Sequence, residues 1–336
     1  MRTRFVWASL AVALVLPLAG QDAQNTLRSN VDVVSVYFTV RDNHHALIPN
    51  LDQTQFQVTE DGRPQSIRFF AHHSDVPLDV GVLLDTGTNT ARTLNLEAAA
   101  TSMFFDRVLR PQDLGFIVSY AAHVDTVQLP TADLGVLRDQ ARTIQPAGSL
   151  DDIFSGPAPM PMPMPTPFPG GAPPNMPVYT DRKARLYDAA RISTFRYLKR
   201  EVGRKALLIV ALSDDQHSES TLDDALMALQ QNDVIAYVLQ ISDGPHDNCD
   251  IHHIFREGKL RKLAEETGGR LIEVRGMDKM GEAFDQIADE LHNQYSLGYY
   301  PANTNWDGRF RKISIEARGY KVTSRKGYYA LPPSQR

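Results

Sequence analysis

A chain of 336 residues, 42% hydrophobic and 22% charged, has material for one large domain or for a domain with a smaller module, and its composition is that of a globular protein. The formal net charge of −5 argues against nucleic acid as a partner, because such proteins cluster lysine and arginine on one face. Cys249 is the single cysteine, so no intramolecular disulfide forms and stability must come from the core.

The chain opens with Arg2 and Arg4, an apolar run from Phe5 to Leu18, and the small residues Ala19 and Gly20. This reads as an export signal over 1–20, since the run falls short of the ~20 apolar residues that a bilayer span needs. Cleavage would leave no membrane span in the mature chain; a retained anchor is the alternative. Gln21 stands where a lipoprotein would need cysteine.

A β segment is expected over 26–76. Val34, Val36, Phe38 and Val40 alternate with polar residues, and Phe56 to Glu60 is expected to form a hairpin with Gln65 to Phe70 across the Asp61-Gly62 turn. From 77 to 292 the pattern becomes α/β. Continuous apolar runs at Leu78 to Leu84, Leu114 to Ser119, Ala206 to Leu212, Val234 to Ile241 and Leu271 to Val274 read as strands buried on both faces. Helical stripes lie between and after them, for instance Leu94, Ala98, Thr101, Phe105 and Val108, or Met280, Phe284, Ile287 and Leu291. Such alternation predicts a doubly wound, mostly parallel, Rossmann-like sheet, with His123 to Leu129 as an extra edge strand. In that strand order the first and fourth core strands are neighbours. Their ends, Asp85 with Asn89 and Ser213 with Asp214, would then share one oxygen-rich cleft where open α/β sheets bind ligands.

Residues 156–177, rich in proline and methionine, are expected to be an exposed insertion; Met160, Met162 and Met164 could offer soft ligands to Cu(I), but the composition reads as linker. The run HDNCDIHH, from His246 to His253, is dense in metal-ligating types yet fits no zinc spacing, and it reads as a solvated loop. From 293 to 331 the chain returns to β, at Tyr295 to Tyr300, Phe310 to Ala317 and Lys321 to Tyr329, and these strands are expected to join the amino-terminal ones in one small β module. The tyrosines at 295, 299, 300, 328 and 329 suggest packing between the two modules rather than a carbohydrate platform.

Two functional readings follow. In the first, LDVGVLLDTGTN resembles the Asp-x-Ser-x-Ser metal motif of von Willebrand factor type A domains, and VALSDD resembles their second aspartate after the fourth strand. QFQVTEDGRPQSIRFF, QYSLGYYP and FRKISIEARGYKVTSRKGYY extend the resemblance to exported VWFA-related proteins of the acidobacterial type over nearly the whole mature chain. The resemblance implies a type A sheet flanked by a β module built from both chain ends, and a periplasmic, envelope or secreted location. It also implies a non-enzymatic role in protein binding, adhesion or envelope assembly, with Mg²⁺ (or Mn²⁺ or Ca²⁺) held so that a partner's acidic residue completes its shell. Residue by residue, Asp85 and Asp214 match the two aspartates. Gly87 replaces the first serine and brings no ligand, whereas Asn89 replaces the second with an amide oxygen. The family's threonine precedes a Leu-Tyr-Asp-Ala helix start, here Leu186 to Ala189, but Ala184 stands at that spot; Ser149 or Thr180 would have to substitute. The site is therefore a degenerate one. The second reading is a Mg²⁺-dependent phosphatase with Asp85 as nucleophile, Lys205 balancing charge, and Asp214 with Asp215 on the metal; it lacks the second aspartate that such enzymes carry two residues on, where Gly87 stands. A purely structural module without metal is the remaining alternative.

Overall fold

A computed structural model describes residues 33–73, 76–87, 91–144, 184–201, 203–211, 215, 217–242, 251–275 and 277–332. In chain order its elements are β1 (Val34–Arg41), β2 (Phe56–Glu60), β3 (Arg63–Gln65), β4 (Ile67–His73), β5 (Leu78–Asp85), α1 (Ala91–Val108), β6 (Leu114–Tyr120), β7 (Val124–Thr131) and α2 (Leu134–Arg142). There follow α3 (Leu186–Ser193) with a π-helical turn at Thr194–Leu198, then β8 (Arg204–Val210), α4 (Leu222–Gln231), β9 (Val234–Ser242), α5 (Ile251–Thr267), β10 (Leu271–Arg275) and α6 (Met277–His292). The last elements are β11 (Gln294–Tyr299), β12 (Phe310–Ala317), β13 (Lys321–Ser324) and β14 (Gly327–Tyr329).

The expected α/β sheet is present. It has six strands in the order β10-β9-β8-β5-β6-β7, all parallel except β7, which pairs antiparallel with β6 at the edge. β5 is buried along its whole length, and its alternation sorts its residues between two layers. Leu78, Val80, Val82 and Leu84 pack on the side covered by α1, α2 and α6, while Leu83 faces the side covered by α3, α4 and α5. Gly81 faces the second layer, where the Phe116 ring already fills the space a Cβ would take, 2.2 Å away. Gly268, at φ +92°, ends α5 in the left-handed conformation that glycine adopts without steric cost.

Both chain ends build the β part, as expected, but in two sheets rather than one. One has the order β13-β1-β11-β4 and the other β14-β12-β2-β3. Their inner faces share a core in which Phe38 packs edge-on against Phe56 and stacked on Tyr295, at centroid distances of 5.2 and 5.3 Å.

Two expected strands are divided by this arrangement. The hairpin partner of β2 is only the three-residue β3; the chain then changes sheets at Ser66, so that Ile67 and Phe70 reach the core from the opposite side as part of β4. Lys321 to Tyr329 likewise splits into β13 and β14, which lie in different sheets. The break has a cause: Arg325 leaves strand geometry to donate to the Gln230 and Ser35 carbonyls at 2.6 and 2.7 Å and to pair with Asp233 at 2.6 Å. Tyr295, Tyr299 and Tyr328 are buried in the core of the β part itself rather than between the modules, and Tyr300 is exposed. Residues from Val33 onward cluster as one unit, with Arg41 of β1 paired to Glu290 of α6 at 2.5 Å across the two parts. Among the described residues no helix is long and apolar enough to cross a membrane. The export segment and the 156–177 insertion lie outside the described residues, as does HDNCD; Ile251, His252 and His253 begin α5 instead of continuing a loop.

Candidate functional site at the carboxyl edge of the central sheet

Asp85 is the last residue of β5 and is fully buried. Its carboxylate accepts the Gly87 N–H at 3.0 Å, closing an Asx turn as the chain leaves the sheet. Thr86 N–H donates to the Tyr120 carbonyl at 3.0 Å, which fixes the turn to the end of β6. On the other side β5 pairs in parallel with β8, with Leu84 level with Val210. The adjacency of the first and fourth core strands, expected from topology, is therefore present, and Asp85 stands at the point where the strand order reverses.

Tyr120 occupies the middle of this edge. Its buried hydroxyl lies 3.3 Å from the Val210 carbonyl, placing it against β8 although it belongs to β6. Burial pushes this phenol well above its ordinary pKa, and the carboxylates of Asp85, Glu97 and Asp215 raise it further. Three acidic groups from β5, α1 and the loop after β8 thus converge electrostatically on one hydroxyl. Asp215 is committed to the fold: its carboxylate accepts from Tyr187 N–H at 3.2 Å and from the Ser218 hydroxyl at 2.5 Å, while burial raises its own pKa. Beside it, Asp188 accepts the Glu219 and Ser220 N–H groups at 2.9 Å each, so the 217–220 segment is tied to the start of α3.

Of the metal ligands singled out from sequence, Asp85 and, for the phosphatase reading, Asp215 are described at this edge; Asn89, Ser149, Thr180, Ser213 and Asp214 lie outside the described residues. Ala184 is buried two residues before the start of α3, at the position where the resemblance implied a threonine. Among the described residues no three His, Cys, Asp or Glu side chains form a group able to hold a metal ion, and Gly87 adds no ligand. Described residues alone do not complete a cation site. Lys205, assigned to charge balance in the phosphatase reading, pairs in register with Asp79. Asp79 lies six strand residues, roughly 20 Å, from Asp85 at the opposite end of the sheet, so this lysine does not serve Asp85.

Tyr120 and Glu97 were missed by sequence reasoning. Glu97 carried a signal: it lies three residues after Leu94 and four before Thr101, inside the apolar stripe of α1, where a fully buried glutamate calls for a polar environment. Tyr120 ends an apolar run and offers no such mark.

The sheet order, with an antiparallel strand at one edge and an aspartate ending the first core strand, is the doubly wound arrangement that the resemblance to von Willebrand factor type A domains implied. No family model matches the chain, and no curated protein does. Among solved structures, proximal thread matrix protein 1 from the mussel byssus is similar at 9% identity and a TM-score of 0.46, over 68% of this chain and 49% of that one. The chain thus spans about half the length of the mussel protein, a second structure of which has a zinc-occupied MIDAS motif. A von Willebrand factor type A protein from Catenulispora acidiphila is similar at 10% identity and a TM-score of 0.44, over 83% of this chain and 74% of that one. The vWF domain of the pilus tip protein Mfa5 from Porphyromonas gingivalis gives 9% identity and a TM-score of 0.42, over 64% and 94%. The β part is built from the segments before β5 and after α6.

Proposed function

We propose that the chain is an exported, non-enzymatic protein-binding module, acting in adhesion or envelope assembly through the carboxyl edge of its central sheet. The observation that supports this reading is the fully buried Asp85 at the switch point, with Glu97 and Asp215 near enough to raise the Tyr120 hydroxyl. Negative charge gathered at one sheet edge favours a cation there, and hard oxygen ligands favour Mg²⁺, Mn²⁺ or Ca²⁺. In this reading Asp85, Asn89 and Asp214 hold the ion, with Ser213, Ser149 or Thr180 as further oxygen donors, and an acidic residue of the partner protein completes the shell. Export rests on the Arg2, Arg4 and Phe5 to Leu18 pattern.

Calorimetric titration of the three ions into the full chain and into Asp85→Ala tests the reading. The expected result is binding heat that disappears in the variant while circular dichroism stays unchanged. No heat from any ion in the folded wild-type chain overturns the cation-dependent mode and leaves a structural module. Mg²⁺-dependent hydrolysis of a phosphate ester, lost in Asp85→Asn, would instead establish the phosphatase reading; the placement of Lys205 beside Asp79 weighs against it.

A further inference from the structure

A second concave site lies at the other end of the central sheet. There the Gln230–Asp233 turn before β9 meets β1, the loop carrying Trp306, and β14, around a cavity of about 210 Å³. Its walls include the rings of Phe195, Trp306, Tyr328 and Tyr329. The polar reach of Tyr328 is already used, since its hydroxyl donates to Glu60 at 2.9 Å. What this residue offers the cavity is its ring. Arg325 also borders the cavity, but its guanidinium is held by the Gln230 and Ser35 carbonyls and its charge is matched by Asp233 at 2.6 Å.

Lys199 is different. It is exposed at the cavity wall, its ammonium lies 5.5 Å from the centre of the Phe195 ring, and it has no carboxylate partner among the described residues. Phe195 itself is 40% exposed, with Arg191 on it as well at 5.6 Å. Both Phe195 and Lys199 are set by the π-helical turn, in which Lys199 N–H reaches the Thr194 carbonyl at 2.8 Å. Such turns are rare, interrupt regular helix hydrogen bonding, and recur at functional sites. Here the turn brings an exposed ring and an unmatched cation to the wall of a ring-lined cavity.

We propose that this cavity binds a ring-bearing carboxylate, the ring lying among Phe195, Trp306 and the β14 tyrosines and the carboxylate on Lys199. Aromatic walls with one positive charge accept either an aromatic acid or a sugar acid, and both present the same chemistry. The site is independent of the Asp85 edge.

The test is ligand-observed NMR on the full chain with benzoate, glucuronate and their uncharged counterparts benzyl alcohol and glucose, repeated with Lys199→Gln, Phe195→Ala and Asp85→Ala. The expected result is binding of at least one acid in preference to its uncharged counterpart, weakened about tenfold in Lys199→Gln, the loss of one charge-assisted hydrogen bond. It is also weakened in Phe195→Ala and unchanged in Asp85→Ala. Benzoate without glucuronate assigns the aromatic source, and the reverse assigns the sugar acid. Lys199 and Phe195 are exposed, so these two variants keep the fold, and circular dichroism checks that the buried Asp85→Ala does so too. Absence of binding by either acid at roughly 10 mM, or binding that ignores both substitutions or the charge, overturns the proposal.

Discussion

Tyr299 donates a 2.9 Å hydrogen bond to Glu60 across 239 positions of sequence, inside the core of the β part. The same carboxylate accepts from Tyr328 at 2.9 Å and pairs with Arg311 at 3.4 Å, so one fully buried acid links β2, β11, β12 and β14. Arg311 is equally buried, donates to the Asn303 and Asn305 carbonyls, and lies 5.4 Å from the Trp306 ring. Removing the acid while keeping the base leaves an uncompensated buried charge. Glu60→Ala is therefore expected to lower stability by about 3–5 kcal/mol, and Tyr299→Phe, which removes one hydrogen bond to the charged acid, by about 1.5–3 kcal/mol. Urea denaturation followed by far-UV circular dichroism separates the two.

Asp79 predicts a pH dependence of the opposite sign to most carboxylates. Burial first, and then the negative charges of Glu201 and Asp113, push its pKa up to about 6, against a smaller lowering by Lys205. The folded state therefore holds this proton more tightly than the unfolded chain does. Its contribution is present below the ordinary carboxylate range and is lost as pH rises from about 4 through 6. Asp79→Asn is expected to raise stability at pH 7.5 by about 2 kcal/mol and to change little at pH 4. Thermal melts of both proteins between those pH values check the slope; equal differences at both ends would refute the assignment.

Two glycines, one inside α5 and one just beyond it, give contrasting outcomes. A Cβ on Gly269 would lie 2.0 Å from the Ala236 carbonyl oxygen, a backbone atom that cannot step aside without moving β9. Gly269→Ala is expected to destabilise by several kcal/mol, about the scale of a severe core defect. Gly258 sits inside α5, exposed, with nothing near its would-be Cβ. Gly258→Ala is expected to stabilise by about 0.5–1 kcal/mol, read as a higher melting temperature.

Arg325 couples the β part to the α/β part through Gln230 and Asp233, and its bond to the Ser35 carbonyl stays within the β part. Arg325→Ala leaves two backbone carbonyls and one carboxylate without these contacts, and a loss of about 2–4 kcal/mol is expected. Because the Gln230 and Asp233 contacts bridge the two parts, the unfolding transition should also broaden. Differential scanning calorimetry would show this as a calorimetric enthalpy exceeding the van't Hoff value.

The central sheet was legible in sequence because strands buried on both faces need continuous apolar runs and helices on a sheet need a 3.6 stripe, and β5, β8, β9 and α6 obey both constraints without ambiguity. The adjacency of β5 and β8 then follows from topology, and the structure supplies the register of Leu84 beside Val210. The division of the β strands between two sheets was not legible. A strand such as Lys321 to Tyr329 alternates in the same way whichever sheet it joins, and its break at Arg325 depends on acceptors near residue 230, far away in sequence. The same distance hides Tyr120, whose neighbours Asp85, Glu97 and Asp215 come from three separate elements.

β1 lies between β11 and β13, with Val34 opposite Tyr299 and Phe38 opposite both Tyr295 and Ser324. A ribosome delivers β1 early and its two partners only after the entire α/β sheet has emerged. β1 must therefore wait with both backbone edges open, whereas β2 with β3, and β5 with β6, can pair almost at once. The sandwich closes last, and an interrupted or carboxyl-truncated chain exposes β1 as a two-sided template for self-association.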